Sequence, residues 1–278
     1  MSLKLKEIRL ENGEWLDQPV EKDTIYLHHT AGGHRADLTV SSWNRDRSET
    51  DKKRIRVATS FVIGGISTRD ENRDWDGVIV QCFPDNEWAY HLGVKGTGGR
   101  LDKKSIGIEI CNYGWLTKSR DGKYLTYVNS EVPEDQVAKL NEPFRGHLYY
   151  HKYTDAQIES TGELLRHLAE KHGIDLKKGL QQWIKKENLT MPLGLNVMEQ
   201  QRWLNQNGFF GANGKSLTED GKIGKNTEYA VNSVGKNGFE YNAQALNGDS
   251  GLWTHTNVRK DKTDCSPQQI LIDLILSL

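Results

Sequence analysis

At 278 residues and 31.6 kDa the chain suits one large domain, or one domain with a modest insertion, since domains typically run about 100–200 residues. Hydrophobic residues make up 36% and charged residues 27%, which excludes a disordered, collagen-like or disulfide-dense chain. With 37 basic against 38 acidic side chains the net charge is −1, leaving no global field to hold nucleic acid or an anionic bilayer.

The N-terminal stretch MSLKLKEIRLENGEW lacks the apolar run of about 7–15 residues that a secretory signal needs, and no segment approaches about 18 uninterrupted apolar residues. The expectation is a soluble, cytoplasmic chain with no membrane partner. Its cysteines, Cys82, Cys111 and Cys265, are odd in number and imply a reducing site of synthesis rather than a disulfide framework.

In chain order, Ile25-Tyr26-Leu27, Ala58 to Ile63 and Gly77 to Phe83 are short β-rich runs bounded by polar or glycine residues. Ser105 to Cys111 reads as a fourth strand, apolar almost throughout, which suits a strand covered on both faces. Thr39 to Arg56, dense in charge, and Trp115 to Arg145 read as solvated loops or hairpins. Between Asp155 and His172 the apolar positions Ile158, Leu164, Leu165 and Leu168 have helical spacing, with Thr154 to cap the start and Gly173 to close the end. Pro267 to Leu278 has the pattern of a short amphipathic helix. The predicted fold class is α/β: a mixed central sheet flanked by helices, with a small helical insertion.

Three groups of residues carry possible chemistry. His28 and His29 end a strand and open into the small-residue loop Thr30-Ala31-Gly32-Gly33; imidazole is the commonest metal ligand, and glycine lets a substrate approach the backbone. Glu109 stands in an otherwise apolar strand, where a carboxylate is costly unless it is paired, ligating or acting as a base at a site mouth. His255 is followed nine and ten residues later by Asp264 and Cys265, either of which could complete a three-residue zinc site with one position left for water.

Taken in order, IYLHHTAGG, ATSFVIGG, WAYHLG, SIGIEICNYG and WTHTNVRKDKTDCSP resemble the zinc-dependent N-acetylmuramoyl-L-alanine amidases of the type 2 family, which includes phage amidase-type lysozymes and the peptidoglycan recognition proteins. The resemblance covers about residues 24–174 and 251–278. It implies that His28 and His255 ligate Zn2+, that the third ligand is Asp264 (from the K-x-D form of the motif) or Cys265 (from the T-x-C form), and that His29 is a neighbour rather than a ligand. It further implies Glu109 as general base and Lys262 as the oxyanion's partner, with His91, His29 and Thr263 contacting substrate. A tyrosine that other members carry near Thr59-Ser60 is absent here, which puts more weight on Glu109. The implied reaction is hydrolysis of the lactyl amide between N-acetylmuramic acid and L-alanine, with peptidoglycan as partner and the chain acting as a monomer. Lacking a leader, such an enzyme is expected to reach the wall on lysis, as a phage-type endolysin would.

The divisions expected are residues 1–180 and 250–278 for the amidase domain and 181–249 for the insertion. In the insertion, helix, turn, Asp220-Gly221-x-x-Gly224-x-x-Thr227 and helix resemble the small helical peptidoglycan-binding repeat, with Thr227 placed to cap the second helix. The alternative function is a non-catalytic muropeptide-binding protein of the same fold, since that branch includes members that lack a metal ligand. A structural component of a phage tail or secretion apparatus would be a third, for which the chain offers no heptads or repeats.

Overall fold

The computed structural model describes residues 5–278, so the expectation for the N-terminal stretch falls in part on residues 1–4, outside the described residues. Six strands form the central sheet: β1 (Leu5–Glu7), β2 (Thr24–His29), β3 (Phe61–Ile63), β4 (Ile79–Gln81), β5 (Ser105–Ile110) and, from near the end of the chain, β11 (Gly251–Thr254). Their spatial order is β1-β4-β3-β5-β2-β11. β2 runs parallel to both β5 and β11, β5 runs parallel to β3, and β3 is antiparallel to β4. The sheet is therefore mixed. β2 is buried at all six positions, which accounts for its lack of polar alternation.

Side-chain alternation along β2 and β5 sends the two faces of the sheet to different partners. Ile25, Leu27, Ile106 and Ile108 pack with Leu164, Leu165 and Leu168 of α3 (Asp155–His172) and with Leu271 and Ile275 of α9 (Gln269–Ser277). Each such buried aliphatic side chain contributes about 1.5–3 kcal/mol. Helix α3 starts where the sequence places it: Thr154 and Gln157 form a reciprocal capping box, and Gly173 closes the helix at a φ of 69°. On the opposite face, Val62 and Val80 meet Ala36 and Val40 of α1 (Ala36–Arg45).

Two stretches expected as solvated loops are more ordered than their composition implies. Helix α1 takes up the first part of the charged stretch from Thr39; with only Ala36 and Val40 buried, its apolar stripe is too thin to stand out in the sequence. Beyond it, Arg47 and Arg54 pair as an isolated bridge and both bind the buried carboxylate of Glu14. Residues from Trp115 onward build a second, five-stranded antiparallel sheet from β6 (Trp115–Lys118), β7 (Tyr124–Leu125), β8 (Glu131–Val132), β9 (Val137–Phe144) and β10 (His147–His151), in the order β8-β7-β6-β10-β9. Much of its surface is solvated, so few apolar positions mark it.

The remaining helices are α2 (Arg100–Lys104), α4 (Leu180–Lys186), α5 (Val197–Gln206), α6 (Lys225–Val231), α7 (Ala243–Asn247) and the single turn α8 (His255–Val258). Thr227 lies within α6 rather than capping it: Gly224 takes the N-cap position, and the Thr227 hydroxyl accepts a hydrogen bond from Gln201 Nε2. The inserted helices have no core of their own. Trp183, Leu204, Phe209, Leu217 and Ala230 pack in one cluster with Tyr26 of β2 and Trp253 of β11, and the Tyr26 hydroxyl donates to the Ala245 carbonyl. Leu204→Ala is therefore expected to cost about 2–5 kcal/mol and to lower the midpoint of one shared unfolding transition. Calorimetry showing two transitions, with only the smaller displaced, would mean that the insertion folds independently. No helix among the described residues is long and apolar enough to cross a membrane.

Candidate active site

The carboxyl ends of the parallel strands β2, β5 and β11 lie side by side, the position at which open α/β sheets hold their ligands. In this register His28 stands opposite Glu109, and Thr254, which precedes His255, stands opposite Leu27. Residues more than two hundred positions apart are thereby brought together: His28, His255 and Asp264 each present a ligand atom within 4.8 Å of the others, and all three are buried. His28 Nδ1 lies 3.1 Å from His255 Nδ1, while Asp264 Oδ2 lies 2.9 Å from His255 Nδ1 and 3.3 Å from His28 Nδ1.

Hydrogen bonding fixes which ring nitrogens carry protons. The Leu92 carbonyl can only accept, so His255 Nε2 carries the hydrogen of their 2.9 Å contact and Nδ1 is left as a lone pair. The Ser105 hydroxyl donates to the Leu101 carbonyl and so accepts from His91 Nε2 at 2.8 Å. His91 Nδ1 is then the acceptor for His28 Nε2 at 2.9 Å, which leaves His28 Nδ1 as a second lone pair. Burial, reinforced by the neighbouring His255, lowers His28 to about 4 and keeps it neutral. Asp264 is held well below the ordinary carboxylate range despite its burial, so it stays an ionised carboxylate. In these neutral tautomers two imidazole lone pairs and a carboxylate oxygen converge in a donor set suited to zinc.

Glu109 is the second element of the site. Its Oε2 is buried with no hydrogen-bond partner among the described residues, and burial, with Asp264 nearby, raises its pKa well above the usual carboxylate value, an effect that Lys262 opposes. Glu109 also lines a groove of about 500 Å³ bordered by Thr30, Gly33, Leu38, Trp43, Arg69 and Tyr113. It thus joins the groove to the strand ends that carry the His28 group.

The other expected site residues are placed differently. Cys265 lies outside the converging group: its side chain packs in the core beneath the sheet, and burial together with the charge of Asp264 pushes its thiol well up. His29, one residue along the strand from His28, belongs to the opposite face, where its Nδ1 lies 3.3 Å from the Tyr153 hydroxyl. That buried ring presents no surface for the substrate contact expected of it. His91 likewise has both ring nitrogens engaged inside the protein, by His28 and Ser105, so it stands behind the His28 ring. Thr263 is half-buried between Lys262 and Asp264.

The family model described as N-acetylmuramoyl-L-alanine amidase matches residues 17–188, more than half of the chain. The chain belongs to this amidase family. Among solved structures it is similar to PlyL (15% identity over 64% of this chain and 78% of that one, TM-score 0.35). It is also similar to the N-acetylmuramoyl-L-alanine amidase LysC from Clostridium intestinale URNW (16%, 62% and 79%, TM-score 0.34) and to the Drosophila peptidoglycan recognition protein SD (13%, 62% and 78%, TM-score 0.35). Family membership rests on the family model, not on these likenesses. No curated protein matches the chain.

The matched segment of this amidase-family chain contains His28, His91 and Glu109 but ends before His255 and Asp264. Only the return of β11 beside β2 closes the group. Sequence reasoning missed the residues behind the two imidazoles, namely Ser105, Asp102 and the Leu92 carbonyl. One trace of them is legible in SIGIEI: a Cβ at Gly107 would lie 3.0 Å from His91 Nδ1 and 2.7 Å from Thr59 Cγ2, so glycine there leaves room for the His91 ring.

Proposed function

We propose that the protein is a zinc-dependent N-acetylmuramoyl-L-alanine amidase that hydrolyses the amide between N-acetylmuramic acid and L-alanine in peptidoglycan. The observation that carries this reading is the convergence of His28 Nδ1, His255 Nδ1 and Asp264 Oδ2 beside the unpartnered carboxylate of Glu109. These three side chains would hold the ion. When bound, zinc supplies Lewis acidity that polarises an amide carbonyl and lowers the pKa of a water.

The chain's own residues account for the remaining demands of the reaction. Glu109, half-buried at the head of the groove with its pKa raised by that burial, takes a proton from water and returns it to the leaving amine. Lys262, close enough for its charge to act on both Glu109 and His28, offsets negative charge developing on the carbonyl oxygen. His91 and the Leu92 carbonyl hold the two imidazoles in the required tautomers. The groove beside Glu109 is the surface on which this reading places substrate.

The reading extends to the protein's setting: release on lysis of the producing cell and, for the inserted helices, contact with the wall. Digestion of purified peptidoglycan tests its core. The expected products are stem peptides with a free L-alanine amino terminus and glycan strands that keep their lactyl groups. Binding to the wall with no new amino termini would replace hydrolysis with the muropeptide-binding alternative.

A further inference from the structure

Asp102 lies outside the motifs that carry the family resemblance, on the short helix α2, yet it is almost fully buried, at 2% exposure. One of its oxygens, Oδ1, accepts two backbone hydrogen bonds, from the amide of His91 at 2.9 Å and from that of Leu92 at 3.0 Å. Each of these residues supports a different imidazole of the candidate metal site. The His91 ring accepts from His28 Nε2, and the Leu92 carbonyl accepts from His255 Nε2, both at 2.9 Å. Among the described residues no other side chain bonds to both of these amides. The buried Lys22, whose amine donates to the Lys103 carbonyl, is close enough for the Asp102 charge to act on it, which offsets part of the cost of burying that carboxylate. Ser105, one turn beyond Asp102, fixes the remaining nitrogen of His91.

We infer that Asp102 is a positioning residue for the zinc site: a single carboxylate oxygen sets the 91–92 backbone and, through it, the orientation and tautomer of both histidine ligands. The inference rests on the proposed zinc site. It follows because a ligating imidazole is oriented by the group that holds its other nitrogen, and both such groups here hang from the same pair of amides. A neutral amide at position 102 offers the same carbonyl-type acceptor, so charge matters less than the oxygen's location.

The test uses the full-length chain and zinc alone, with affinity measured by chelator competition and with Co2+ absorption as a report of ligand geometry. Asp102→Ala is expected to weaken zinc binding about 10–100-fold and to alter the Co2+ spectrum. Asp102→Asn is expected to lose only about threefold, within the range set by keeping the acceptor, and to keep the parent spectrum. A folded Asp102→Ala variant with parent affinity and spectrum would overturn the inference. Should Asp102→Ala fail to fold without metal, the Asn variant decides: a loss as large as tenfold or an altered spectrum contradicts the inference, and retention of both supports it. If the parent itself takes up no zinc, the zinc site and this inference fall together, an outcome distinct from failure of Asp102 alone.

Discussion

Glu109→Gln is expected to lower the rate of amide hydrolysis on purified peptidoglycan about 10²–10⁴-fold, the usual contribution of a positioned general base, while zinc content stays at the parent level. The substitution keeps shape and removes only the capacity to take a proton. Because the orphaned Oε2 has no partner to lose, the fold should not suffer, and the sign of the pKa shift says that it gains. Burial raises Glu109 in the folded chain above its unfolded value. Its contribution to stability is therefore fully present below the ordinary carboxylate range and is lost as pH rises through the raised value. The Gln variant should thus melt above the parent at neutral pH, with the gap closing in acid. In the parent, the acidic limb of kcat/KM should lie above the ordinary carboxylate range, since hydrolysis needs the ionised form. A Gln variant with parent-level turnover would remove Glu109 from the chemistry.

Asp264→Ala is expected to abolish stable zinc uptake, losing more than the roughly 10–100-fold that removal of a supporting partner costs, and to abolish hydrolysis with it. Cys265→Ala should keep zinc and activity, and lose some stability through the small cavity left in the core. The contrast follows from placement: Asp264 Oδ2 is within hydrogen-bonding reach of one ligand imidazole and 3.3 Å from the other, whereas the Cys265 side chain faces away among apolar residues. Zinc measured by atomic absorption in both variants checks the assignment. Loss of metal in Cys265→Ala with retention in Asp264→Ala would reverse it.

How much of this was legible in the sequence depends on where each signal resides. The strands around Tyr26, Val62, Val80 and Ile108 and the helix from Asp155 announce themselves because periodicity and caps are local properties. Helix α1 does not, because only two of its side chains are buried, and the second sheet does not, because much of it is exposed to water. His28, Glu109 and the pair Asp264-Cys265 could be singled out as chemically unusual for their surroundings. That Asp264 and not Cys265 converges with the two imidazoles is visible only in three dimensions, since adjacent residues differ in direction and not in spacing. The same holds for His29 and His91. One sits on the wrong face of its strand, and the other is occupied on both nitrogens, and neither fact has a counterpart in the order of residues. That Leu204 and Phe209 of the stretch 181–249 share a core with Tyr26 and Trp253 is equally a property of the folded chain and not of local pattern.

Peptidoglycan amide hydrolysis is expected to depend on one zinc ion held by His28, His255 and Asp264. The most direct test is to strip the full-length protein with a chelator, return zinc in measured increments, and follow the release of L-alanine amino termini from purified peptidoglycan. The expected result is no hydrolysis without metal and a linear recovery that saturates at one zinc per chain, with none in Asp264→Ala. Full activity in the stripped protein, or saturation with zinc and no amide cleavage, would contradict it.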